Sequence, residues 1–196
     1  MLTIDFLRHG ELEGGIKYRG CMDDALTTQG RESMDKVWCE VADKVTQIIS
    51  SPLQRCAEPA QAWAKQAGLE CQLDARLQEL SYGDWEGLTA AEIEHEFPHL
   101  LEAWREDPTH LTPPNGEPMS VFSKRVFSFM DTLLSTYTDG HILLVTHSGT
   151  IRLMLAYILG APIQSTRHLT MPYACWSRAQ VEHGHASLVF HHRLAG

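Results

Sequence analysis

Basic residues are scarce in this 196-residue chain: 16 Lys and Arg stand against 25 Asp and Glu, for a formal net charge of -9 and a pI near 5.6. A nucleic-acid binder would need a basic face, so that function class is excluded. Any anion site must be assembled locally, against the overall charge. No apolar run approaches the roughly 18 residues of a membrane span. The N-terminus, Met1 to His9, lacks the charged-then-apolar layout of a signal peptide. The five cysteines are odd in number and scattered, with no Cys-x-x-Cys pair. They are read as reduced thiols of a cytoplasmic protein, not as a zinc site or disulfide framework. Repeats, low-complexity tracts and linkers are missing too. The length fits one domain spanning 1–196.

What is present is a series of short apolar runs, each ending in a polar cluster. Leu2–Leu7 leads into Arg8-His9-Gly10, Val45–Ile49 into Ser50 to Arg55, and His141–Val145 into Thr146-His147-Ser148-Gly149. Such runs suit central parallel strands. Between them, Thr28–Val41, Leu53–Ala67, Met119–Tyr137 and Thr150–Leu159 carry helical spacing. Pro59 implies a later start or a kink in the second of these. Thr89-Ala-Ala-Glu92 has the spacing of a capping box and starts a helix to about Phe97. Ala174–Val181 and Ala186–His191 are expected to form a hairpin about Glu182 to His185. The alternation predicts an α/β fold, a three-layer α/β/α sandwich with a mostly parallel central sheet. The irregular, proline-bearing stretch of about 77–118 is expected to be an insertion over one edge of the site.

Ligands of an open α/β sheet bind beyond the carboxyl ends of its strands. The three runs deliver Arg8, His9, Arg55 and His147 to that edge. Arg8 and His9 would point to opposite faces of a strand, but Gly10 lets the chain turn so that both reach the crevice. Ser148-Gly149 opens a helix whose free N–H groups favour an anion. Two guanidinium and two imidazole groups suit a tetrahedral dianion, which Arg can hold in bidentate fashion. The neighbouring positive charge disfavours imidazolium, so one His can stay neutral and nucleophilic.

These blocks resemble the histidine phosphatase superfamily, which includes the cofactor-dependent phosphoglycerate mutases. Leu7-Arg8-His9-Gly10-Glu11 is similar to its signature. Leu26 to Gly30, Ser51 to Arg55, Leu77 to Leu80 with Gly83 to Gly87, Pro114 to Glu117 with Phe122 and Arg125, and Val145 to Gly149 with Ile151-Arg152 are similar to further shared blocks. The resemblance covers nearly the whole chain and implies a phosphoglycerate mutase-like fold. It implies that His9 becomes phosphohistidine and that Arg8, Arg55 and His147 hold the phosphoryl group, with Ser148 also at the substrate. Glu79 would protonate the departing alkoxide and later activate water, with its pKa raised by the phosphate dianion. No metal or cofactor is implied, because the cationic side chains neutralise the charge. The chain departs from the family at Leu12 and Gly15, where Thr and Asn are common, and at Ser148, where Gly is frequent.

Gly15 to Thr27, Tyr82 before Gly83-Asp-Trp-Glu-Gly, and Cys175-Trp176-Ser177 are most similar to the α-ribazole-5'-phosphate phosphatases. That resemblance implies a small phosphomonoester as the only partner, α-ribazole 5'-phosphate from cobalamin nucleotide-loop assembly, handled by a monomer or small homo-oligomer. A cofactor-dependent mutase, a broad-specificity sugar or nucleotide phosphatase, and a phosphate-binding domain without turnover are the alternatives. Among single residues, Glu86 rivals Glu79 as the acid. Trp85 and Trp104 either line the leaving-group pocket or belong to the core. His183, His185, His191 and His192 lack the supporting carboxylates or cysteines of a metal site.

Overall fold

The computed structural model describes residues 1–193 and 195. Six strands form one sheet in the order β3-β2-β4-β1-β5-β6. They are β1 (Leu2–Arg8), β2 (Gln47–Ser50), β3 (Cys71–Leu73), β4 (Gly140–Thr146), β5 (Trp176–Glu182) and β6 (His185–Arg193). The first four are parallel, whereas β5 runs antiparallel to β1 and β6 to β5. β1 and β4 are buried on both faces, as their unbroken apolar runs require. Arg8 pairs in register with Thr146, and Ser50 with Val145, so β1, β2 and β4 end at one edge.

Alternate residues of these strands feed two cores. Ile4, Phe6, Ile142 and Leu144 face α5 (Met119–Thr136) and α6 (Ser148–Leu159). Leu7, Leu143 and Val145 face α1 (Thr28–Val41) and α2 (Gln54–Ala67), where Trp38 and Trp63 stack 5.5 Å apart. The result is the three-layer α/β sandwich expected. α2 starts at Gln54 and runs through Pro59, so a later start is not needed. The proline merely leaves the Arg55 carbonyl without its helical donor.

The stretch 77–118 carries two short helices, α3 (Ala90–Glu96) and α4 (Leu100–Glu106). α3 has the expected capping box between Thr89 and Glu92. Both helices pack on a small apolar cluster of Trp85, Ile93 and Leu101. Near the C-terminus, β5 begins at Trp176, two residues later than the apolar run suggests, because Ala174 is left-handed (φ 52°). The hairpin turns on His183 (φ 51°) and Gly184 (φ 77°), two adjacent positive-φ residues that match the strand twist.

Gly10 needs no positive φ. Its constraint is packing: a Cβ there would lie 2.1 Å from the Gly30 carbonyl oxygen, and one on Gly30 would lie 2.2 Å from that of Glu11. Both contacts are backbone to backbone, so no side chain can yield. Gly10→Ala is therefore expected to cost about 3 kcal/mol or more of stability. Urea unfolding measures this, and an unchanged midpoint would show that the two loops need not touch.

Candidate active site

At the carboxyl edge lies a cleft of about 710 Å³, large enough for a phosphate plus a sizeable leaving group. β1 hands over directly to it: His9 N–H donates to the Thr146 carbonyl (3.0 Å), and the His9 carbonyl accepts from Ala174 (3.1 Å). His9 is 6% exposed and its Nδ1 lies 2.8 Å from the Gly10 carbonyl oxygen. A carbonyl only accepts, so Nδ1 carries the hydrogen and Nε2 keeps its lone pair. Burial pushes this imidazole well below its ordinary pKa, and Arg8 and Arg55 push it further. The neutral tautomer is the nucleophilic one.

Arg8 and Glu79 share the cleft with His9. The Arg8 guanidinium sits 4.3 Å from the centre of the Tyr173 ring and Nη1 donates to the Met171 carbonyl. Its Nε–H is shut off from solvent and has no partner among the described residues, while the residue itself lines the cleft and brings its charge to the ligand side. Glu79 Oε2 accepts from Gly149 N–H (3.0 Å) and the Ser148 hydroxyl (3.3 Å), at the N-terminus of α6. Its other oxygen accepts from Leu80 N–H (3.1 Å). The loop beneath Glu79 is clamped by Arg125, which donates to the carbonyls of Arg76, Gln78 and Glu79 at 2.7–2.9 Å and pairs in bidentate fashion with Glu117. Thr146 and Thr150 add hydroxyl donors to the Leu77 and Gln78 carbonyls.

His147 and Arg55 lie behind this wall, not on it. His147 is fully buried, with Nδ1 facing Arg55 Nε at 3.3 Å and Nε2 facing the Ser51 hydroxyl at 2.8 Å. Its ring centre is 5.3 Å from that of His9. Arg55 spends its remaining donors on the Gly20 and Met22 carbonyls (both 2.7 Å) and Asp23 (3.3 Å). Burial, then Arg55 and His9, hold His147 well below its ordinary pKa.

Unfolding would return both imidazoles to about 6.5, so below that pH the unfolded chain binds more protons than the native one. Their contribution to stability is full above about pH 6.5 and is lost as pH falls toward the depressed native values. The unfolding free energy should fall between pH 7.5 and 5 by up to about 1.4 kcal/mol per pH unit per imidazole. Urea melts of wild type and His147→Asn test this, the variant showing the shallower dependence; equal slopes would contradict the assignment.

A sequence model described as the histidine phosphatase superfamily (branch 1) matches residues 4–193. The chain belongs to that superfamily. An adenosylcobalamin/α-ribazole phosphatase of Escherichia coli K12 is 29% identical over 185 residues, covering 93% of this chain and 91% of its own. A glucosyl-3-phosphoglycerate phosphatase of Mycolicibacterium vanbaalenii is 32% identical over 170 residues, covering 81% and 75%. The solved complex of mycobacterial glucosyl-3-phosphoglycerate phosphatase with inorganic phosphate has a TM-score of 0.87 at 27% identity, covering 98% of each chain.

Within this histidine phosphatase, Glu86 is a strut: its oxygens accept the N–H groups of Cys21, Met22 and Tyr82, tying the 20–22 loop to the 81–82 loop. Trp85 is core, while Trp104 reaches the cleft. Leu12 is buried and Leu12 bridges to Leu26, and the Gly15 carbonyl accepts from Arg19. Leu12 and Gly15, two of the three positions that depart from the family pattern, thus serve a loop wound around Arg19. The cleft also takes in Arg105, Arg152, Arg167 and Tyr173, which come from separate segments. Only Arg152, inside a recognisable block, carries any sequence signal.

Proposed function

We propose that this histidine phosphatase hydrolyses a small phosphomonoester through a phosphohistidine on His9. The observation that carries the reading is the His9 imidazole itself, neutral and with Nδ1–H held by the Gly10 carbonyl, with Arg8 on the same cleft wall. Nε2 attacks phosphorus, and the N–P bond forms as the ester P–O bond breaks. Glu79, in its acid form, gives its proton to the leaving alkoxide. Water then attacks phosphorus, Glu79 takes back a proton, and the N–P bond breaks to release phosphate. Arg8 and the α6 N-terminus at Ser148 neutralise the transferring group. Arg55 serves through His147 and the Gly20–Asp23 segment; reaching the phosphoryl group directly would require exchanging carbonyl partners for phosphate oxygens.

Glu79, Tyr82, Trp104 and Arg105 of the 77–118 stretch lie on the cleft wall, which supports reading that stretch as cover for the leaving-group side within a single domain. The α-ribazole phosphatase relative, together with the blocks at 15–27, 82–87 and 175–177, makes α-ribazole 5'-phosphate the first substrate to test. Phosphate release should be measured in chelator against common sugar and nucleoside phosphates. A strong preference for α-ribazole 5'-phosphate supports the assignment. Even activity on all of them retains the phosphatase and discards that substrate.

A further inference from the structure

Eleven arginines occur in the sequence. Six of them (Arg19, Arg31, Arg55, Arg76, Arg125 and Arg178) pair with a carboxylate. Five have no carboxylate within 4 Å among the described residues. One is Arg193, near the Trp176 and Phe190 rings at the sheet edge. The other four, Arg8, Arg105, Arg152 and Arg167, all line the same cleft. Lys17 joins them there, and Glu79 is the one carboxylate on that wall among the described residues. In a chain of net charge -9 this is a local positive field.

The four arginines divide into two groups. Arg8 and Arg152 serve the reacting end, Arg152 being held by the Leu169 carbonyl (3.1–3.2 Å) at the second turn of α6. Arg105 and Arg167 stand on separate elements, α4 and the short turn Ile163–His168. Arg105 donates from Nε and Nη2 to the Tyr18 hydroxyl (3.1 and 2.8 Å). Arg167 donates from Nη1 to the Glu106 carbonyl (2.7 Å). Arg167 also donates from Nε to His168 Nε2 (3.3 Å), so each guanidinium is oriented by uncharged acceptors and keeps one terminal nitrogen without a partner among the described residues. Glu94, Glu102 and Glu106 border an adjoining recess with both arginines, but none comes within 4 Å of either guanidinium. Tyr18, Tyr82 and Trp104 also line the cleft, offering flat apolar surface to a ring.

We infer that the leaving group carries a second anionic group, a carboxylate or a phosphate ester, received by Arg105 and Arg167 with Lys17. This rests on the phosphomonoesterase reading and sets it against α-ribazole 5'-phosphate, whose leaving nucleoside carries no anion. Fixed guanidinium forks are suited to either oxyanion.

Two matched pairs separate the sources: adenosine 5'-phosphate against adenosine 3',5'-bisphosphate, and glycerol 3-phosphate against 3-phosphoglycerate. The second member of at least one pair should show kcat/KM about tenfold higher or more, the advantage shrinking as salt rises. Preference in the nucleoside pair identifies a phosphate ester, and preference in the glycerol pair a carboxylate. In the R105Q/R167Q double variant the ratio within the preferred pair should fall to near unity. Ratios near unity in wild type, or an undiminished ratio in the variant, overturn the inference. Calorimetric affinities of His9→Ala enzyme for the same four compounds give a reading independent of turnover, and equal binding within both pairs is equally fatal. Failure of wild type to hydrolyse any phosphomonoester would instead sink the phosphatase reading.

Discussion

His9→Ala is expected to lower kcat by about 10⁴-fold or more on every phosphomonoester, because it deletes the atom proposed to receive the phosphoryl group. The loss should be confined to chemistry. His9 donates one side-chain hydrogen bond, to its neighbour Gly10, and removing a buried imidazole held below its ordinary pKa leaves no unpaired charge behind. The variant should therefore stay folded and should lose part of the acid sensitivity described above. Wild-type enzyme mixed with ³²P-labelled substrate and quenched in alkali should carry protein-bound label that is released by acid, the behaviour of a phosphoramidate. His9→Ala should carry none. Label retained in the variant, or turnover within tenfold of wild type, would move the nucleophile elsewhere.

Gly149→Ala tests the acid. Gly149 is the second residue of α6, where helix propensity alone favours Ala by roughly 0.5–1 kcal/mol. A Cβ there, however, would lie 2.4 Å from Glu79 Oε1 and 3.4 Å from the Phe122 ring. The carboxylate end is the flexible partner and is the one that moves, so folding is spared and Glu79 leaves its seat. Its bonds to Gly149 N–H and Ser148 hold it in the place from which it is proposed to protonate the alkoxide, and a displacement near 1 Å costs about 10²-fold in rate. We expect kcat to fall by that order while the thermal midpoint stays within a few degrees of wild type. A kcat within threefold of wild type would show that Glu79 is not the proton donor.

The two expectations differ in how far they could be read before folding. β1 and β4 are legible because both faces are buried and the strands must be apolar throughout. β3 escapes notice: it is three residues, Cys71-Gln72-Leu73, on the sheet edge, with only half of its neighbours to satisfy. α4 escapes for another reason. It has no capping side chain, its N-terminal boundary residue His99 is left-handed (φ 66°), and Leu101 alone is buried among its residues. Gly10 was legible as a glycine needed beside His9, but its reason, the Gly30 backbone, lies 20 residues away.

Arg8-His9 and Glu79 announce themselves because chemistry is packed into a few consecutive residues at strand ends, and local order survives in sequence. The proposed nucleophile, its neighbouring cation and the sandwich that presents them are set at that level. What folding alone settles is which side chains face the cleft. Arg55 and His147 turn inward to carbonyls and a hydroxyl, whereas Arg105, Arg152 and Arg167 turn into the cleft without a carboxylate partner. An arginine's role depends on what its guanidinium meets, and those partners are brought together by long-range packing that no local pattern encodes.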